Sequence, residues 1–205
     1  MNKRLFGLAA LLLALGAGMG GGAAMDLRES RYQPLVFKGS TKTPIGARQF
    51  CMARPDECRP ADAMPGPLAL TDGLRRDLVE INSRFNKQVA AVTDEDHYQK
   101  REFWTYPDDG VGDCEDFALA KRRALMERGW PASALRMALV RQSNGEAHAV
   151  LVAVTDSGDF VLDNLVGDVL DWEETNYKFV KMQTAQTMSE WVDVEDDRVL
   201  WVASK

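Results

Sequence analysis

The sequence predicts an α+β fold in which N-terminal helices pack on an antiparallel sheet. Helix-period apolar spacing is confined to residues 71–128, and strand-like apolar runs begin only after it, from Leu135. The stretch Asp156-Ser157-Gly158-Asp159 lies between two of those runs and predicts a hairpin turn.

The first segment of the chain is predicted to be removed. Asn2-Lys3-Arg4 gives a positive start, Leu5 to Met19 is apolar, and Gly22-Ala23-Ala24 supplies small residues for cleavage. That pattern predicts a secretory signal peptide over residues 1–24, too short in its apolar run to span a bilayer. Residues 25–68 are rich in Pro and Gly and read as a loop-rich arm with a short strand near Leu35-Val36-Phe37. An exported chain meets an oxidising compartment, so Cys51 and Cys58, with six residues between them, are expected to pair. Cys114 is then the odd thiol, which suggests reactivity. Residues 69–205 form the remaining domain. A net charge of -6 argues against a nucleic-acid surface, and 45% hydrophobic residues support a core of ordinary size.

Leu74, Leu78, Ile81, Phe85 and Val89 lie on one face of a helix over residues 71–92, which Thr71 or Asp72 caps. Asn82 and Asn86 flank that stripe and are placed to bond neighbouring loops. Residues 93–112 form a polar connector, with His97 among Asp94, Glu95 and Asp96 facing solvent. Trp104 and Tyr106 read as packing residues in that connector. A second helix over residues 114–128 ends at Gly129 and Pro131. Strands follow at 135–140, 147–154 and 160–165, with further ones expected near 177–180 and 199–202.

The chemistry concentrates in Gly112-Asp113-Cys114-Glu115-Asp116. A helix N-terminus favours a thiolate, because unpaired backbone N–H groups point at it. Asp113, Glu115 and Asp116 oppose it, since neighbouring negative charge raises a thiol pKa. The two effects are reconciled if a His⁺ or a hard cation such as Ca²⁺ offsets the acids. The plain alternative is a structural Cys, with acids capping the helix. Two lone residues on apolar strands bear on the choice. His148 stands in Ala147–Val154 and Asp163 in Val161–Leu165. A two-residue turn at Asp156-Ser157 or at Ser157-Gly158 puts both on one face; pairing of Asp163 opposite Val150 makes them diagonal neighbours, whereas a two-residue slip in register separates them. Cys114, His148 and Asp163 then suit acyl transfer, as nucleophile, general base and orienting carboxylate. The Cys114 N–H is a candidate oxyanion donor.

Gly112-Asp113-Cys114-Glu115-Asp116-Phe117-Ala118, Ala147-His148-Ala149-Val150-Leu151, Val161-Leu162-Asp163-Asn164 and the approach Trp104-Thr105-Tyr106-Pro107 together resemble the bacterial transglutaminase-like cysteine proteinases. The resemblance implies a papain-like or transglutaminase-like core and a Cys114–His148–Asp163 triad. It implies Ca²⁺ dependence with Asp113, Glu115 and Asp116 as ligands. It also implies a periplasmic endopeptidase acting near the N-terminus of a large surface adhesin to control biofilm attachment. Such enzymes are restrained by an inner-membrane cyclic-di-GMP receptor. Two other functions use the same residues: a transglutaminase or amidase, whose thioester is taken by an amine, and a non-catalytic binding module keeping the fold.

Overall fold

The computed structural model describes residues 32–62, 64 and 66–200. The segment expected to be a signal peptide lies outside them. Among the described residues no helix is long and apolar enough to cross a membrane.

Strand β1 (Val36–Thr41) and helix α1 (Ile45–Ala53) come first, then a 3₁₀ turn (Pro55–Cys58). Helix α2 (Asp72–Gln88), strand β2 (Ala90–Ala91), helix α3 (Asp94–Tyr98), strand β3 (Val111–Gly112) and helix α4 (Cys114–Glu127) follow. Six strands complete the chain: β4 (Leu135–Gln142), β5 (Ala147–Thr155), β6 (Gly158–Leu162), β7 (Leu170–Asp171), β8 (Tyr177–Gln183) and β9 (Trp191–Glu195). Seven strands make an antiparallel sheet in the order β1-β9-β8-β4-β5-β6-β7, while β2 and β3 pair separately and in parallel. The fold is α+β, with helices packed on an antiparallel sheet.

Both faces of the sheet are buried, which explains why β5 reads as an almost unbroken apolar run. Leu151 and Ala153 join Ile81, Leu119 and Leu125 of the helical layer in one core. Val150 and Val152 face the other way, into a second core with Trp172, Phe179 and Met182. Helix α4 lies against β5, and α2 packs on α4. Thr71 caps α2 by accepting from the Leu74 N–H at 3.2 Å. Gly129 ends α4 at a left-handed φ of 91°, which a side chain would resist.

The structure refines two expectations. Among its described residues the arm over 25–68 carries more regular structure than a short strand near Leu35-Val36-Phe37. It supplies β1 and α1, and the Cys51–Cys58 disulfide ties α1 to the turn that follows. The inward face of α1 is Gly46, Ala47 and Phe50, one large apolar residue beside two small ones, which gives little apolar period. Among the described residues the last strand is Trp191–Glu195, and the strand expected near 199–202 falls partly outside them. Val199 is 90% exposed, and Trp201 and Val202 lie outside the described residues.

Gly46 sets how α1 meets the connector. A Cβ there would lie 2.2 Å from the Trp104 indole, which is itself buried. Gly46→Ala gains about 1 kcal/mol in helix propensity but forces out an aromatic ring, at about 1–3 kcal/mol. The variant is expected to unfold at lower urea concentration than the parent. An unchanged or raised midpoint would show that the indole shifts freely.

Candidate active site

Three elements meet at the start of α4. The helix begins because Phe117 N–H donates to Asp113 carbonyl oxygen at 3.1 Å, the first bond of its ladder. Asp113 stands at the N-cap but makes no side-chain cap bond, while Glu115 and Asp116 lie in the first turn, where acids complement the helix dipole. Cys114 is the first helical residue, so its own N–H has no acceptor within the helix. The thiol is half-buried and is the free one of the three cysteines. It donates to Glu115 Oε2 at 3.2 Å, and the Ala149 N–H lies near enough to favour its thiolate. Ala149 is the residue after His148, so the sulfur rests against the strand that carries the imidazole.

The β5–β6 register fixes the other pair. Thr155 pairs with Gly158 and Leu151 with Leu162, leaving a two-residue turn at Asp156-Ser157. Continued one step beyond the strand, this register sets Asp163 opposite Val150. His148 Nε2 and Asp163 Oδ1 are 2.7 Å apart, and both residues are almost fully buried. With Nε2 taken by the carboxylate, Nδ1 is the ring nitrogen left for a second partner. Asp163 also accepts from Leu165 N–H at 3.0 Å and from the Tyr177 hydroxyl. Burial pushes the Asp163 carboxyl up, but the hydrogen bond and charge of His148, with Leu165 and Tyr177, outweigh it and hold it below the usual carboxylate range. Tyr177 was expected only as a strand residue. Nothing in its sequence context distinguishes a hydroxyl aimed at a carboxylate from one aimed at solvent.

The carboxylates around Cys114 behave differently. Asp113, Cys114 and Glu115 form one group that could hold a metal ion, and Asp94, Asp113 and Asp116 form another, with ligand atoms within 4.8 Å of one another. Asp113 belongs to both. Asp94, one of the run of acids around His97, is 2% exposed. Its neighbours Glu95 and Asp96 do face solvent, so the signal was hidden by adjacent residues of the same type. His97, expected to face solvent, is instead partly covered, stacked on Tyr98 and 3.1 Å from Asp109.

This cluster is bound from above by the connector backbone. Phe103 N–H donates to Asp94 Oδ2, and Thr105 N–H to Asp116 Oδ1 at 2.8 Å. Asp94 Oδ1, Asp113 Oδ1 and Asp116 Oδ2 are buried with no hydrogen-bond partner among the described residues. Such oxygens are costly without positive charge. Burial and the charge of Asp113 push Glu115 up to about 10. Burial first, then Asp113 and Asp94, push Asp116 up to about 8 against the Thr105 N–H. Burial and the charge of Glu115 raise the Cys114 thiol well above its ordinary value, against the Ala149 N–H. Three unpartnered carboxylate oxygens in one place fit a hard divalent cation, which takes oxygen ligands.

The sequence profile of the bacterial transglutaminase-like cysteine proteinases matches residues 37–199. Calcium-bound LapG of Legionella pneumophila is 30% identical over 55% of this chain and 66% of its own, with a TM-score of 0.48. A second structure of that LapG is 30% identical over 55% of this chain and 64% of its own, with a TM-score of 0.48. EGTA-treated LapG is 28% identical over 60% of this chain and 72% of its own, with a TM-score of 0.49. The chain thus spans just under two thirds of the first two LapG chains. No curated protein matches it.

The raised carboxyls set a pH dependence. Asp116 ionises near its ordinary value when unfolded but only near pH 8 when folded without a cation. Its contribution to stability is therefore full at acid pH and is lost as pH rises from about 4 towards 8. In EGTA the thermal midpoint is expected to fall across that window. Millimolar Ca²⁺ is expected to restore it most at the alkaline end, and Asp94→Asn with Asp116→Asn to abolish the restoration. Equal midpoints with and without Ca²⁺ across the window would exclude a cation site here.

Proposed function

The chain belongs to the bacterial transglutaminase-like cysteine proteinases, and on that premise we propose that it is a calcium-dependent cysteine endopeptidase of the periplasm. The observation that carries this reading is the buried His148–Asp163 pair, on the strand whose next N–H, that of Ala149, acts on the Cys114 thiol.

In the proposed reaction His148 Nδ1 takes the thiol proton, and the sulfur attacks the scissile carbonyl carbon. The Cys114 N–H donates to the resulting oxyanion. As the C–N bond breaks, the imidazolium gives its proton to the leaving amine and a thioester remains. Water, losing its proton to His148, then attacks the thioester carbonyl and releases the sulfur. Asp163 keeps the imidazole oriented and its cation favoured throughout. Asp94, Asp113, Glu115 and Asp116 would hold the calcium ion. When bound, it supplies the positive charge that their burial calls for, and so relieves their opposition to the thiolate. Glu115 also competes for the thiol hydrogen, which must reach the imidazole before attack.

The proposed substrate is the N-terminal region of a large exported adhesin, with release from the surface as the outcome. An inner-membrane cyclic-di-GMP receptor is the proposed restraining partner. The Cys51–Cys58 disulfide supports export, since such bonds persist in oxidising compartments.

Incubation with an adhesin N-terminal fragment tests the reading. Shortened product is expected from the parent with Ca²⁺, and at least about 10³-fold less from Cys114→Ala, whose thermal midpoint should match the parent. Incorporation of a labelled amine without shortening would make the enzyme a transferase. No reaction, with a thiol no more reactive than a model peptide, would leave a binding module.

A further inference from the structure

A second buried network stands behind Asp163, on the side away from the sulfur's own turn of α4. Lys121 lies seven residues after Cys114, on the same face of that helix two turns along. It is 0% exposed. Its Nζ donates to Asn82 Oδ1 at 2.8 Å. Asn82, also fully buried, spends both amide protons on the loop after β6, at Val166 carbonyl oxygen (3.2 Å) and Gly167 carbonyl oxygen (3.0 Å). One turn on, Asn86 donates to the carbonyl oxygen of Asp163 itself at 2.8 Å and to that of Val166 at 3.2 Å. The Asn82 amide can sit only one way round, because two carbonyls face its nitrogen and an ammonium faces its oxygen. Asn86 Oδ1 has no partner among the described residues, so this amide is held for what it donates.

The loop needs holding. Asp163 is the first residue past the strand, where ladder bonds have ended. On its other side a cavity of about 230 Å³ is lined by Val161, Asp163, Val166, Asp168, Leu170 and Tyr177. Packing alone does not fix it from there.

We propose that Lys121, Asn82 and Asn86 are positioning residues for the His148–Asp163 pair, clamping the Asp163–Gly167 loop from the helical layer. The inference rests on the cysteine-proteinase reading above. Stability alone does not account for Lys121. An ammonium with one acceptor in a helix-packed interior costs more than a methionine of similar length would. Burial lowers its pKa to about 7, and Asp163 is the charged group that acts against the fall. Its other neighbours here, Asn82 and the Phe117 ring at 5.7 Å, are uncharged.

The test measures iodoacetamide alkylation of Cys114 against pH in the full protein with millimolar Ca²⁺, together with thermal midpoints. Lys121→Met is expected to change the midpoint little, the acceptor left at Asn82 offsetting the relief of a buried charge, while alkylation at pH 7 slows about tenfold, within the ~10²-fold that a 1 Å misplacement costs. The alkylation profile should move to higher pH, because losing the charge and loosening the imidazole both disfavour the thiolate. Asn86→Ala should slow alkylation similarly, and decides the matter if Lys121→Met does not fold. Asp163→Asn separates the two readings. If it slows alkylation while Lys121→Met and Asn86→Ala react like the parent, the positioning role is overturned and the triad stands. If Asp163→Asn also reacts like the parent, the triad reading falls, and the positioning role with it.

Discussion

The crowding of carboxylates at the first turn of α4 is the constraint from which the helical half of the molecule takes its shape. Asp94, Glu115 and Asp116 are buried beside Asp113. Their oxygens recruit the donors within reach, and the connector supplies them from its backbone, through Phe103 and Thr105. That is why a polar, turn-rich stretch is held in place. Its aromatic residues then become core: Trp104 lies against the backbone of α1 at Gly46, and Tyr106 meets Phe50 edge-on at 5.7 Å. Gly112 belongs to the same arrangement. A Cβ there would lie 2.7 Å from Cβ of Asp116, so the chain entering the helix can pass only as glycine. The donors still fall short of the acceptors, and the shortfall is where a cation fits.

The sheet half depends on a different constraint, the two-residue turn between β5 and β6. Thr155 Oγ1 closes it by donating to the Gly158 carbonyl oxygen at 2.7 Å, and Asp156 is tied to Leu70 N–H at 3.0 Å. A one-residue slip would turn Asp163 to the opposite face from His148. The active geometry is thus set fifteen residues of chain around a hairpin, and the turn chemistry matters as much as the reacting groups.

What could be read in the sequence follows from these two constraints. Helices α2 and α4, strands β4 to β6, and the His148–Asp163 neighbourhood were legible, because apolar period and turn residues specify them locally. Helix α1 was not, because it meets Trp104 through glycine and alanine, and close approach erases the apolar pattern. Strand β9 was missed for another reason. Trp191-Val192-Asp193-Val194-Glu195 alternates correctly, but it is short and follows polar residues, and the later run at 199–202 looked stronger. Asp94 and Tyr177 were illegible as site residues. Burial at the end of a long connector, or across a sheet, is a property of the tertiary fold and leaves no mark on neighbouring residues.

The molecule therefore holds two populations of acid with opposite requirements. Asp163 has its own donors, in His148, Leu165 and Tyr177, and ionises readily despite burial. Asp113 and its neighbours share too few, and Glu115 and Asp116 resist ionising. In the proposed mechanism both groups act on the proton of one thiol, Asp163 by way of the imidazole and Glu115 by direct hydrogen bond. Positive charge delivered to the second population would then alter the thiol while leaving the first as it was, because Asp163 has its donors already. On that proposal, separating the acids in this way would let an ion control nucleophilicity without disturbing the base that serves it.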